Sequence, residues 1–458
     1  MSVHSWPTQS LRIRTMFASK AAEPALWRLL SIVTLLIIAL WWLSAPRDLF
    51  SAPLSVTEIA REAILLSGVW AYVLLTLAIV VVMRWRWIER PLGGLDRCYR
   101  LHKWAGIATG AVVLLHCVLE WLPGGLARAR SQPSADASRQ LGLDWNAATQ
   151  EMAELANGTM LCALIAIALL RSIPYRWFRK THRLSALLYL ATTWHALLLL
   201  PPQLRFTPLG ALIGLSALFG CAAAVVSVTG GVGRRRRVRG TITGLEAHNG
   251  ILEVECTLAA RGLPHRPGQF AYVCFDPAEG PHPFTIAGAD PGARKIRFVI
   301  KALGDYTGQL ANRLAEGQQV TIEGPYGGFD FRGTAREQVW VAGGIGLTPF
   351  LARLEYLRWL GRRSPSVTFF YCTRNAATDP YVSRLRTLCT QTGVTLALVD
   401  SARQRPLDFD AIAAGLRDPS GAELWFCGPA RFGATLQRAW RTTGLPGRRF
   451  HREWFEMR

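Results

Sequence analysis

A membrane α-helical bundle of six spans, followed by an antiparallel β-barrel and then an α/β nucleotide-binding domain, is the fold class this sequence predicts. Three observations carry it. Half of the 458 residues are hydrophobic and mean hydropathy is +0.18, with the apolar residues concentrated before residue 230. From about 237 to 333 the chain turns to short segments rich in Val, Ile, Phe and Thr, broken by Gly and Pro. From about 336 a strand-then-helix rhythm takes over.

Six stretches come first: 28–46, 62–83, 102–122, 153–171, 182–200 and 208–229, each near the twenty residues a bilayer requires. The first begins too late, with the wrong flanks, for a cleaved signal peptide. Basic residues set the orientation. Arg84, Arg86, Arg90, Arg97, Arg100 and Lys103 lie between spans two and three, and Arg171, Arg176, Arg179, Lys180 and Arg183 between four and five. With six crossings both termini fall on that same cytoplasmic side of the cell membrane, together with Arg12, Arg14, Lys20 and the run 234–237. Trp85, Trp87 and Trp177 fit an interfacial belt.

Within these spans lie four histidines in two pairs, His102 with His116 and His182 with His195, separated by fourteen and thirteen residues. An ionisable side chain in a membrane helix is costly and points to function. Either separation puts the pair roughly 20 Å apart along a helix axis, which suits metal ligands for two stacked haems, one near each face of a core about 30 Å thick. At ~100° per residue, fourteen residues return to within ~40° of one face, whereas thirteen miss by ~140°. The second helix is therefore expected to bend, carry a bulge, or present its ligands from different sides, with Ser185, Thr192 and Thr193 back-bonding to helix carbonyls. Four polar residues satisfied by neighbouring helices are the plain alternative.

The formal charge of +21 does not imply nucleic acid, because much of it flanks the spans, where anionic membrane lipid is the neighbour. Nine cysteines show no CxxC or finger spacing, so they read as scattered reduced thiols. No EF-hand loop is visible, hence no calcium site is expected.

The second region contains RVRGTITGLE, ILEVECTL, GQFAYVCF, PFTIAG, KIRFVIKA and QVTIEG, short strands with frequent turns, as in a small antiparallel barrel. The third alternates QVWVAGG, a helix through Leu357, VTFFYC, a helix near 380, TLALVD, ELWFCG and a final helix. Such alternation predicts a parallel sheet with a nucleotide at its strand ends.

Taken in order, six spans with two histidine pairs, HPFTIAG (282–288), GDYTGQL (304–310), EGPYG (323–327), GGIGLTPF (343–350), CGP (427–429) and the tail FHREWFEMR resemble the bacterial NADPH oxidase and ferric reductase superfamily, from the first span to the end. That resemblance implies a ferric reductase-like transmembrane domain fused to a ferredoxin-NADP reductase-type module: an N-terminal cytoplasmic segment at 1–27, the haem-bearing bundle at 28–232, an FAD-binding barrel at 233–333 and an NADPH-binding α/β domain at 334–458.

Under this resemblance His282, Pro283, Phe284 and Thr285 hold the flavin ring, with Pro283 fixing extended backbone and His282 and Phe284 standing where soluble relatives carry Arg and Tyr. Gly304, Tyr306 and Thr307 open a helix toward the FAD pyrophosphate; an ordinary helix cap is the alternative. Gly343, Gly344, Gly346 and Thr348 form the nicotinamide-nucleotide loop. Arg374 reads the 2′-phosphate, favouring NADPH over NADH. Cys427 lies against the nicotinamide, with Gly428 and Pro429 shaping the turn; a buried structural cysteine is the alternative. Phe455 covers the flavin until nicotinamide displaces it, with Trp454 as its rival.

The expected activity is transmembrane electron transfer from cytoplasmic NADPH through FAD and two b-type haems, held by His102 with His182 inside and His116 with His195 outside. The external acceptor is dioxygen, giving superoxide, or ferric or cupric ion, met at the haem edge. The alternatives are an electron-donating subunit for a periplasmic or quinone partner, a non-catalytic haem sensor, and a membrane flavin reductase without haem.

Overall fold

A computed structural model of the protein describes residues 24–45, 55–121, 161–163, 165–166, 178, 181–259, 262–288, 294–333, 335–364, 366–416 and 418–453. Most of the expected fourth span (153–171) and its flanking basic residues, together with Trp454 and Phe455, lie outside the described residues.

The membrane part comprises α1 (Pro24–Ser44), α2 (Val56–Val81), the short α3 (Arg86–Leu92), α4 (Leu95–Trp121), α5 (Leu184–Leu198) and α6 (Pro208–Val228). Among the described residues, four segments are long and apolar enough to cross a bilayer: Leu26–Ser44, Glu58–Val81, Leu95–Glu120 and Pro208–Val228. Caps set the boundaries. Ser55 and Glu58 form a reciprocal capping box that starts α2, and Thr207 with Pro208 starts α6.

The helices α1 and α2 begin a few residues before the expected 28 and 62, and two further boundaries depart in ways that bear on the histidines. The third span begins at Leu95 rather than 102, because Leu95, Cys98 and Leu101 form a buried stripe at helical spacing behind the charges that resemble a loop. His102 thus sits about two turns inside its helix, not at its start. The fifth span contains a helix of 15 residues, Leu184–Leu198, shorter than 182–200. His182 lies in the helical turn before it, separated by a turn at Arg183 where Ala186 N–H bonds the Arg183 carbonyl, an i to i+3 pattern. This is the irregularity that the thirteen-residue spacing calls for.

Six strands follow: β1 (Arg237–His248), β2 (Ile251–Leu258), β3 (Phe270–Cys274), β4 (His282–Thr285), β5 (Lys295–Lys301) and β6 (Gln319–Tyr326). They form one antiparallel sheet in the order β4-β3-β6-β1-β2-β5, and an Ile286–Phe298 bridge links its two edges. Along β2 burial alternates strictly, so Leu252, Val254, Cys256 and Leu258 enter the core. The helix α7 (Asp305–Arg313) precedes β6.

The remaining sheet is parallel, in the order β11-β10-β7-β8-β9. Its strands are β7 (Glu337–Gly343), β8 (Val367–Thr373), β9 (Thr395–Asp400), β10 (Ala422–Cys427) and β11 (Phe450–Arg452), with helices α8 (Thr348–Trp359), α9 (Val382–Thr392), α10 (Phe409–Ala414) and α11 (Ala430–Thr442). Chain order reverses between β7 and β10, the switch point at which open parallel sheets bind nucleotides. The chain forms two compact units, one within Ile32–Asp330 and the other within Phe331–Trp454. From Ile32 onward the membrane helices and the antiparallel sheet therefore share a unit.

Candidate functional site

The structure brings the histidines together across helices as well as along them. The His102 and His182 rings stand 5.7 Å apart, nearly perpendicular, and His195 lies within electrostatic range of His116. His102 Nδ1 is 2.8 Å from the Ala78 carbonyl of α2. A carbonyl only accepts, so Nδ1 carries the proton and Nε2 presents its lone pair. His116 repeats the logic one level out. Its Nδ1 is 2.9 Å from Ser67 Oγ, and the Ser67 hydroxyl donates to the Ile64 carbonyl, which leaves its lone pair to accept from Nδ1. Nε2 of His116 faces Glu120 at 3.5 Å.

Outer partners of this kind fix the tautomer of metal-bound imidazoles, so the residues fit haem ligation. Space agrees with chemistry. Gly106, one turn beyond His102 on the same face of α4, has open space where a Cβ would stand. Among the described residues, no cluster of three or more His, Cys, Asp or Glu side chains could hold a bare metal ion.

On α5, Thr192 and Thr193 bond back to the Leu188 and Tyr189 carbonyls, as expected. Ser185 does not. Its hydroxyl lies 3.4 Å from His182 Nδ1, and Phe178 stacks on that ring. Ser67 and the Ala78 carbonyl were not identified from sequence; a serine in an apolar span was a usable sign, a backbone carbonyl was not. Ser67→Ala is expected to weaken retention of the outer haem by about 10–100-fold, the usual cost of a lost outer partner, read as haem released during titration with a competing apo-haemoprotein. Unchanged retention would show that Ser67 does not orient His116.

In the antiparallel sheet, His282 stacks on Tyr306 with centroids 4.1 Å apart. The Tyr306 hydroxyl is buried without a hydrogen-bond partner among the described residues; burial and the neighbouring Cys274, Asp276 and Glu279 push its pKa up. Such an orphan suits a polar ligand atom. At the start of α7, Thr307 Oγ1 accepts from the Leu303 and Gly304 amides, so that hydroxyl acts as a cap. Beyond Gly304 and Gly308 a Cβ would meet nothing within 4 Å. This leaves the first turn open, as an FAD phosphate would need.

At the parallel switch point, the end of β10 adjoins that of β7, with Cys427 opposite Ala342. A Cβ on Gly343 would come 2.7 Å from Pro429 Cδ, one on Gly428 3.0 Å from Gly343 N, and one on Gly346 would run into the Cys427 carbonyl. Close packing of the GGIG loop on the CGP turn thus accounts for three of the glycines. Gly344 differs: its φ is +55° and a side chain there would enter open space, so glycine is required there by the backbone rather than by packing. Thr348 is buried and donates to the Ile345 carbonyl. Arg374 is exposed just past the end of β8.

Cys427 is fully buried, its Sγ 3.5 Å from Oε2 of Glu453. Burial first, then that carboxylate, push the thiol well above its usual pKa, so it is a neutral thiol rather than a nucleophile. Glu453, held by its amide on the Phe426 carbonyl, was missed in the sequence, where it sits unmarked in a charged tail. None of the nine cysteines is in a disulfide.

Comparison with known proteins agrees with this layout. The family described as ferric reductase like transmembrane component matches residues 67–193, which include His102, His116 and His182 and stop just short of His195. An FAD-binding domain family matches residues 243–329. The chain is 28% identical over 172 residues to the 2-halobenzoate 1,2-dioxygenase electron transfer component of Burkholderia cepacia, covering 36% of this chain and 50% of that protein. It is 27% identical over 183 residues to a propane 2-monooxygenase reductase component of Rhodococcus jostii, covering 37% and 49%. With the ferredoxin–NAD(+) reductase component of the alkene monooxygenase system of Xanthobacter autotrophicus it shares 34% over 178 residues, covering 36% and 53%. The chain spans about half the length of the curated relatives it matches.

Proposed function

We propose that this chain, in which a ferric reductase like transmembrane component is followed by an FAD-binding domain as in the ferric reductase and NADPH oxidase superfamily, is an NAD(P)H-dependent oxidoreductase conducting electrons through FAD and two b-type haems to an acceptor across the cell membrane. When bound, FAD converts hydride into single electrons and the haems pass them on, chemistry that belongs to the cofactors. The chain's own residues bind, orient and exclude water. His102 and His182 would hold the inner haem, His116 and His195 the outer, with the Nδ1 protons of His102 and His116 steered by the Ala78 carbonyl and Ser67.

His282, Pro283, Phe284 and Thr285 line the flavin, with Tyr306 giving its orphan hydroxyl a partner and the first turn of α7 receiving the pyrophosphate. Gly344 lets the nucleotide approach the backbone; Cys427 and Glu453 present a dry, neutral thiol to the nicotinamide; Phe455 covers the flavin in its absence. Both termini and the nucleotide site are cytoplasmic. With these two histidine pairs holding the haems, the acceptor would be dioxygen, ferric ion or cupric ion, met at the haem edge.

The observation that carries this reading is the two-level histidine arrangement with Nδ1 protons committed at His102 and His116, in the same unit as the flavin sheet. Pyridine haemochrome analysis should give two haems b per chain, both reduced by NADPH without oxygen. A flavoprotein that reduces acceptors but holds no haem would contradict it. Cytochrome c reduction sensitive to superoxide dismutase would identify dioxygen as acceptor, and insensitive ferric-chelate reduction a metal ion.

Cofactor choice rests on Arg374. Arg374→Ala should raise KM for NADPH far more than for NADH, by ~1.5–3 kcal/mol for one lost charge-assisted bond. Equal effects on both nucleotides would show that Arg374 is not the selector.

A further inference from the structure

The turn between α2 and α3 is tied to the flavin sheet by a buried cation. Arg84, in the left-handed backbone region at φ 59°, pairs through Nη1 with Glu323. Its Nη2 donates to Tyr99 Oη of α4 at 3.0 Å, and its guanidinium lies 3.9 Å above the Tyr272 ring. Glu323 is buried and also accepts from Arg237 Nε at 2.9 Å and Tyr326 Oη at 2.8 Å.

A second tie runs alongside. Arg236 Nη2 meets Glu89 of α3 at 2.8 Å while its guanidinium lies 4.6 Å over Tyr326. Between α3 and α4 the backbone itself touches the sheet: a Cβ on Gly94 would come 3.0 Å from Gly328 N, and one on Gly328 would strike the Gly93 carbonyl. The EGPYGG segment therefore seats on the cytoplasmic end of the helices.

Register gives this seat a direction. Tyr272 of β3 is the Cα partner of Glu323 on β6 and of Pro283 on β4. Directly paired residues share a sheet face, so Glu323, Tyr272 and Pro283 form one row running from the carboxylate to the proposed flavin strand. Arg84 grips that row. Its other hand is on Tyr99, one turn before His102 on the same helix. Only an arginine offers a planar fork that can pair, donate elsewhere and stack at once.

We propose that Arg84 is a positioning residue that fixes the flavin strand over the inner histidine pair and so sets the rate of electron passage from flavin to the His102–His182 haem, an inference that rests on the proposed electron path. Arg84→Gln leaves Glu323 with Arg237 and Tyr326, so the sheet keeps its fold. Stopped-flow mixing with NADPH under argon follows flavin bleaching and haem reduction separately. In Arg84→Gln the flavin should bleach at the wild-type rate while haem reduction slows severalfold, because electron transfer weakens steeply as the two groups move apart. Arg84→Lys, which keeps charge but not the fork, should recover only part of that loss.

Hydrogen exchange supplies a readout that needs no bound cofactor: the amides of 92–94 and 327–329 should lose protection in Arg84→Gln while β2 and β5 do not. Arg237→Gln, which removes a partner of the same carboxylate from within the sheet, should leave both haem reduction and those amides as in wild type. Unchanged haem reduction and protection in Arg84→Gln, or an equal effect of Arg237→Gln, would overturn the proposal. A wild-type protein whose haem NADPH cannot reduce would instead remove the electron path itself, and the exchange result would still decide whether Arg84 holds the seat.

Discussion

Replacing His116 by Leu is expected to remove the outer haem, leaving about half of the haem absorbance and no electron passage to the far side, because an axial imidazole has no substitute in an aliphatic side chain. His195→Leu should reproduce it. The inner pair, on other turns of the chain and contacted by the Ala78 carbonyl and Ser185, should keep its spectrum, and NADPH should still bleach the flavin. Haem content equal to wild type in either variant would break the pairing of His116 with His195.

Gly346→Ala should disable the nucleotide side with comparable severity. Its new methyl would run into the Cys427 carbonyl and come 2.8 Å from Gly428 N, backbone atoms that cannot rotate away. Overpacking of this kind costs about 1–3 kcal/mol, and here it falls on the turn beside the buried Cys427 thiol that Glu453 contacts. NADPH should no longer bleach the flavin, whereas dithionite should still reduce both haems. A Gly346→Ala protein with wild-type flavin reduction would mean that the loop and the CGP turn need not touch.

Where hydropathy and period are strong, the sequence was readable. The apolar runs of α1, α2 and α6 announce themselves, and GGIGLTPF and CGP fall at adjacent ends of β7 and β10, where alternation of strand and helix put them. Legibility failed where physics is non-local. The start of α4 was hidden because Asp96, Arg97 and Arg100 look like a loop until Leu95, Cys98 and Leu101 are seen to be buried.

No side-chain signal marks the Ala78 carbonyl as the partner of His102. EGPYG reads as a flavin-domain motif, yet Glu323 meets Arg84 across 239 positions of chain, a pairing that a single sequence does not contain. Nor can a run of glycines say which of them the backbone requires. Two, Gly343 and Gly346, are spent on packing against the CGP turn, and the positive φ and open side of Gly344 single it out.

The central claim is that electrons cross the membrane within this one chain. It is tested most directly in sealed vesicles with the nucleotide side outward and ferricyanide, which does not cross lipid, trapped inside. NADPH added outside should bleach the trapped ferricyanide in the wild-type protein and fail to do so in His116→Leu, with flavin reduction equal in the two. Trapped ferricyanide that stays oxidised with wild type, or bleaches equally with His116→Leu, would contradict the account.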